Sequence, residues 1–354
     1  MGEAMADVPD GLEIGEMRAT AALIAPYVLP TPIHTWRGRE IEALMGPQTQ
    51  VVLKLELFQH AGSFKIRGAL SNMLRLPDAA RGRGVTAVSA GNHAIAVAYA
   101  AAILGVSAKV VMLSTASPAR VAAAQAYGAE IVMVEGGAAA FARVDEIARL
   151  EGRTFIHPFE GRNTSLGAAT LGLEFAEQAG PLDAVIVAIG GGGLASGIGS
   201  AFKRVQPGCR VFGVEPSGAD SMHRSFAAGA PQTLETVSTI ADSLAPPMAL
   251  PLSYALCRQT VDELVKVEDD ALRAAMALLF REMKLVTEPA AAAGLAALGG
   301  PLRDRLRGRR VGLVICGANI DLERFADHVG RGDAVGCGDL AAGLTAGPGA
   351  RVIA

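Results

Sequence analysis

The chain has 354 residues, 51% of them hydrophobic and 19% charged, with a formal net charge of −3 from 32 Lys and Arg against 35 Asp and Glu. That composition suits a globular protein with ample core and no long basic run, so neither nucleic acid nor a membrane is the expected partner. No leader pattern opens the sequence and no charge-free apolar run matches a bilayer's thickness, so the expected setting is cytoplasmic; Cys209, Cys257, Cys316 and Cys337 lack the C-x-x-C spacing of a zinc site.

In chain order, a polar lead and a short helix up to about Tyr27 precede an extended crossing at residues 29–33, which two prolines keep out of helix. Residues 51–56 alternate as a strand, and a loop ending at Ser63 delivers a helix over 64–74. Lys65 sits in that helix's first turn between Phe64 and Ile66, where desolvation and the positive end of the helix dipole both lower an amine's pKa. Such an amine is an activated nucleophile or base. A single lysine in this setting is more often exposed beside a buried phenylalanine.

From Val85 onward, strands near 85–89, 108–113, 130–134 and 154–157 alternate with helices over 94–104, 118–127 and 138–151. This is the pattern of βαβ units on a parallel sheet, and the fold class is α/β. After the loop 158–165, which opens a new helix, Val185 to Ile189 form a continuously apolar strand followed by Gly190, Gly191, Gly192, Gly193 and Leu194. Four glycines at a helix start let backbone N–H groups converge on a compact phosphate. The stretch alone is equally consistent with a strand–helix connection that holds no ligand. Further along come a strand at 210–214, a helical stretch at 219–228, an irregular passage with Pro246, Pro247 and Pro251, helices over 269–284 and 289–298, and a strand at 311–315. Residues 331–354 read as a tail.

Seven motifs in order then converge. Ser63-Phe-Lys-Ile-Arg-Gly68, Ser89-Ala-Gly-Asn-His93, Gly190-Gly-Gly-Gly-Leu194, Val214-Glu-Pro216, Ile240-Ala-Asp242, Glu288-Pro289 and Cys316-Gly-Ala-Asn319 resemble the fold-type II pyridoxal-phosphate (PLP) enzymes, and among them the serine/threonine dehydratases, over about residues 20–328. The resemblance implies a tryptophan synthase β-like architecture of parallel or mostly parallel twisted sheets flanked by helices. A large cofactor-binding domain would comprise residues 1–76 and 161–330, and a small domain residues 77–160.

It also assigns residues. Lys65 would bind the cofactor covalently and act as the catalytic base, Phe64 would pack on the pyridine face, and Asn92 would meet the phenolic oxygen. Gly190, Gly191, Gly192, Gly193 and Leu194 would hold the phosphate, Cys316 would face the pyridine nitrogen, and Glu288 would complete the cofactor site. Without an acid beside that nitrogen the ring is a weaker electron sink, which favours elimination over transamination. Ser89, Ala90, Gly91, Asn92 and His93 would grip the substrate carboxylate, with His93 a neighbour and no catalyst. Racemising relatives carry a serine where Ala90 stands, so Ala90 argues for elimination.

Glu215, Ala219 and Ser221 have the spacing of the family's metal loop, and a serine in the third place suits K⁺ or Na⁺ better than Mg²⁺. The expected reaction converts a β-hydroxy-α-amino acid of the threonine or serine type to the 2-oxo acid and ammonia through released aminoacrylate, with the cofactor phosphate giving a proton to the leaving hydroxyl. The residues beyond 330 are too few for a regulatory domain, and a homodimer is the family default. Ala140, Ser243, the run Ala245-Pro-Pro247 and Ala290-Ala291 depart from the pattern and make the pocket rim apolar. A bulkier substrate, namely phenylserine, hydroxyaspartate or an ectoine-pathway hydroxyamino acid, is the alternative, with serine racemisation and β-replacement as further rivals.

Overall fold

The computed structural model describes residues 10–335; the start of the polar lead, most of the expected tail and Cys337 lie outside them. Among the described residues ten strands form two sheets. In chain order they are β1 (Ile33–Trp36), β2 (Gln50–Lys54), β3 (Val85–Val88), β4 (Ala108–Leu113), β5 (Glu130–Val134), β6 (Thr154–Phe155), β7 (Ala184–Ala188), β8 (Arg210–Pro216), β9 (Glu263–Val267) and β10 (Arg310–Val314). The larger sheet has the order β1-β2-β10-β7-β8-β9, parallel except for β1, which runs antiparallel to β2. The smaller has the order β5-β4-β3-β6 and is parallel throughout.

Burial follows from this layout. The strand β7, Ala-Val-Ile-Val-Ala, is buried along its whole length because helices cover both faces of a parallel sheet. The helix Pro289–Gly299 is buried at every residue, and its alanines let it fit between the large sheet and the helix Asp269–Met283. In both sheets the strand order reverses beside the strand that carries a motif loop. Strands β8 and β9 lie on one side of β7, and β10, β2 and β1 on the other. The loop after β7 and the residue after β10 therefore open into one crevice at the carboxyl ends of neighbouring strands, where α/β sheets bind ligands. In the small sheet β4 and β5 lie on one side of β3 and β6 on the other, which puts the loop 89–93 at the equivalent point.

Several elements depart from the expectations. β1 and β9 form where no strand is legible, and the passage around Pro251 contains the helix Pro251–Thr260, in which that proline occupies the first turn, where no N–H partner is needed. The helix Leu322–Val335 runs five residues into the expected tail and packs on Asp269–Met283; a Cβ at Gly332 would lie 2.2 Å from the Arg273 carbonyl oxygen. Among the described residues no helix is long and apolar enough to cross a membrane.

Candidate active site

A cavity of about 230 Å³ opens between the two sheets, and the motif residues from both line it. From the large sheet come the glycine loop after β7, Cys316 after β10, Glu288 and the segment 242–247; from the small sheet come residues 89–93 after β3 and Leu113 at the end of β4. Phe64 and Lys65 enter at the start of the helix Lys65–Met73.

Lys65 Nζ donates to the Pro158 carbonyl at 2.6 Å and lies 5.2 Å from the Phe64 ring centre. Desolvation pulls the amine down to about 8, with Cys316 and Glu288 pulling weakly the other way. Phe159, next to Pro158, explains the glycines. A Cβ on Gly191 would fall 2.2 Å from its ring, one on Gly193 2.7 Å from its carbonyl oxygen, and Gly192 has φ +94°. The glycines let the 158–159 segment lie on the loop, so Lys65 and the loop are held together by one short stretch. The first-turn N–H groups of the helix Gly193–Val205 have no intrahelical acceptors and face the crevice.

The helix Asn92–Leu104 brings a second set of such N–H groups to the same cavity. Ser89 Oγ accepts from Gly91 N–H at 3.1 Å, and Ala90 lines the cavity. His93 is buried, shares a 2.7 Å hydrogen bond with the Ile156 carbonyl, and is held down at about 3 by burial, so it stays neutral and structural. His157 is likewise pushed down to about 4 by burial, and its Nδ1 accepts from the Phe159 and Glu160 N–H groups.

Glu288 is 1% exposed and sits at the centre of a polar network. Its Oε1 accepts from Asn92 Nδ2 at 2.5 Å; its Oε2 accepts from Ser243 Oγ at 3.0 Å and Arg120 Nη2 at 3.2 Å. Burial pushes its carboxyl up to about 7 even though Arg120 opposes the shift. Asn92 Oδ1 also accepts from Asn319 Nδ2 at 2.7 Å. Cys316 is a buried thiol whose pKa burial raises.

Sequence reasoning missed Arg120, the one charged residue in the otherwise small and polar-neutral helix Pro118–Ala126. A lone cation among alanines was the available signal. It also missed the wall formed by Leu113 and Phe141, whose ring lies near His157 in a cluster with Phe155 and Phe159.

Glu215, Ala219 and Ser221, the residues expected to hold a cation, are not among those that line this cavity. Both oxygens of the buried Glu215 carboxylate accept N–H groups, from Met222 at 2.8 Å and His223 at 2.7 Å, at the start of the helix Ser221–Ala228. Burial pushes that carboxyl up to about 8. Ser221 Oγ is buried with no hydrogen-bond partner, and Ala219 is buried beside it. Among the described residues no three of His, Cys, Asp and Glu gather as metal ligands.

The donor set fits PLP: one N–H cradle for a phosphate, a second for a carboxylate, a desolvated lysine among the lining residues, and a neutral thiol in place of an acid. Comparison with known proteins agrees. The family model described as pyridoxal-phosphate dependent enzyme matches residues 24–317. A phenylserine dehydratase of Ralstonia pickettii is 58% identical over 325 residues, covering 92% of this chain and 98% of its own. A catabolic L-threonine dehydratase of Escherichia coli is 41% identical over 287 residues, 80% of this chain and 87% of the relative. The structure of maize serine racemase superposes with a TM-score of 0.83 at 34% identity, over 90% of this chain and 97% of that one.

Proposed function

Since the chain belongs to the pyridoxal-phosphate dependent enzymes, we propose that it is an ammonia-lyase that converts a β-hydroxy-α-amino acid to the 2-oxo acid and ammonia, and that its substrate carries an apolar β-substituent larger than methyl, of the phenylserine class. The observation that carries the substrate class is the apolar end of the cavity. Leu113, Ala140 and Phe141 form one wall and Ala245, Pro246 and Pro247 another, and neither wall holds a charge. A substrate with a β-carboxylate, such as hydroxyaspartate, would meet no cation besides Lys65 and Arg120, and the Arg120 guanidinium already serves Asp242 and Glu288. Threonine and serine belong to the same reaction class and leave that end unfilled. An aryl group there gains edge contacts with Phe141 as well as area buried from water.

Lys65, residues 190–194 and Cys316 would hold PLP, which when bound would supply the electron sink that makes the substrate Cα–H acidic. The protein's own groups do the rest. Lys65 Nζ, with its pKa near 8, is the base that takes the α-proton, and its neutral fraction rises across the neutral to mildly alkaline range. The N–H groups of the loop 89–93 orient the carboxylate. Water leaves across Cα and Cβ, and hydrolysis of the released enamine returns one water and frees ammonia. A panel of threonine, serine, phenylserine and hydroxyaspartate, assayed for ammonia and 2-oxo acid, tests the reading. A higher kcat/KM for hydroxyaspartate than for phenylserine would remove the aryl assignment.

The orphaned Ser221 Oγ beside Glu215 supports a monovalent cation, K⁺ or Na⁺, at residues 215, 219 and 221. K⁺ should then raise activity and unfolding midpoint more than Mg²⁺ does, and Ser221→Asp should reverse that order; identical behaviour in chelated, K⁺-free buffer would remove the site. The separation of strands into two sheets supports reading residues 77–160 as a small domain, and the resemblance supports a cytoplasmic homodimer, which sedimentation would check.

A further inference from the structure

We infer that Arg120 is the positioning residue of this active site: from a helix of the small sheet it fixes Glu288, and through Glu288 it sets the orientation of Asn92. Four contacts carry this. Arg120 Nη1 meets Asp242 Oδ2 at 2.5 Å, Nη2 meets Glu288 Oε2 at 3.2 Å, Nε donates to the Asn319 carbonyl at 2.8 Å, and the guanidinium lies against the backbone of Gly91, where a Cβ would come within 3.0 Å of Nη1. One side chain, 6% exposed, thus touches both the loop of the small sheet and three segments of the large one. Ser117, at the start of the same helix, adds a 2.5 Å bond to Asp321.

The fork geometry matters, because the three acceptors are met by three different nitrogens, Nε, Nη1 and Nη2, a spread that the single nitrogen of an ammonium does not span. The charge matters too. Glu288 accepts hydrogen bonds at both oxygens, from Asn92, Ser243 and Arg120, so the network is built for the carboxylate. The charged groups that face it are Arg120, Asp242 and Lys65, with the neutral, titratable thiol of Cys316 beside them and Asp321 beyond Arg120. Burial already holds its pKa at about 7, and removing the guanidinium raises it further. At neutral pH Glu288 would then be protonated, and a protonated oxygen no longer fixes the Asn92 amide in the same sense.

The role rests on the cofactor assignment above, and the test separates the two. In the holoenzyme, Arg120→Met should lower kcat by roughly tenfold to a hundredfold for the best β-hydroxyamino acid. It should also move the acid limb of the pH–kcat profile upward by roughly one to three units. The pH titration of the cofactor's visible absorbance, which needs no substrate, should move the same way. Arg120→Lys should restore part of the limb position and little of kcat, and in Glu288→Gln the added Arg120→Met change should produce no further shift. A folded Met variant with unmoved titration and limb overturns the proposal. If that variant does not fold, a Lys variant with wild-type kcat and titration overturns it. A wild-type protein that binds no chromophore would instead overturn the cofactor assignment.

Discussion

Lys65 and Arg67 lie two residues apart at the start of one helix, and because positions i and i+2 point to different sides, their side chains enter two different buried charge clusters. Arg67 joins Glu56, Glu174 and Lys54 away from the cavity: it meets Glu56 at 2.8 Å and Glu174 at 2.9 Å, and Lys54 meets Glu174 at 2.5 Å. Two cations face two carboxylates there. Burial alone would lower Arg67, yet Glu56 and Glu174 overcome it and hold the guanidinium firmly charged. In the cavity cluster Lys65 has a carbonyl for a partner, and Arg120 is shared between Asp242 and Glu288. The amine falls to about 8 and Glu288 rises to about 7, so both sit where they can change protonation near neutral pH. Buried charge paired directly with its counter-ion holds the fold, whereas a buried charge that faces a neutral carbonyl, or shares one counter-ion, is poised to change protonation.

The largest effect that would break this comparison lies at Lys65. Lys65→Ala should cost roughly a thousandfold or more in turnover, the scale of losing a positioned base together with the cofactor's anchor. The unfolding midpoint of the apoprotein should not fall. The sign follows from linkage: a lysine pKa lowered on folding means that the native state disfavours the charged form, so below about pH 8 the wild-type amine costs stability that the alanine variant does not. Borohydride reduction of the holoenzyme and peptide mapping should place the label on Lys65, and a label on another lysine would sink the assignment.

Arg67→Met is the opposite case. It strands Glu56 and Glu174 without a guanidinium, and breaking a buried pair in this way costs about 3–5 kcal/mol. Urea unfolding should show that loss while the protein that remains folded keeps its kcat. An unchanged midpoint with lost turnover would show that the two clusters act as one.

The contrast between the clusters was only half legible in the sequence. Lys65 could be read because an amine in the first turn of a helix is out of place electrostatically and stands inside a motif. Lys54 and Glu56 were hidden, because an alternating strand implies one wet face, whereas both residues are buried and paired with partners 120 or so positions away or nearer on Arg67. The sheet's central strands and the glycine loop were readable from local apolar runs. β9 and the helix Pro251–Thr260 were not, since one is a five-residue strand with charged positions and the other begins with a proline that looks like a breaker. The reason for the glycines was also only partly visible: an anion cradle can be inferred from sequence, but the Phe159 ring on Gly191 is a long-range contact. Arg120 shows the same limit, since its three acceptors come from distant parts of the chain.

The smallest effect expected is at Ala90, which belongs to neither charge cluster. Ala90 and Lys65 line the same cavity from different elements, the loop after β3 and the helix Lys65–Met73. Inverting the α-carbon requires a proton taken from one side and returned on the other, and Lys65 can serve only its own side. On the loop's side Ala90 offers a methyl group; of the nearby hydroxyls, Ser89 Oγ is held in place by the Gly91 N–H and Ser243 Oγ donates its proton to Glu288. A loosely held water is a poor substitute beside the apolar walls of Leu113, Phe141 and Pro246. The wild-type protein should therefore eliminate with little racemisation, and Ala90→Ser should add a measurable flux to D-serine from L-serine while leaving the unfolding midpoint and elimination rate nearly unchanged. Chiral analysis of residual serine after partial turnover decides it. D-serine accumulating in the unmodified protein as fast as pyruvate would show that a group other than residue 90 works on that side, and the separation between charged clusters and neutral loop would no longer describe the chemistry.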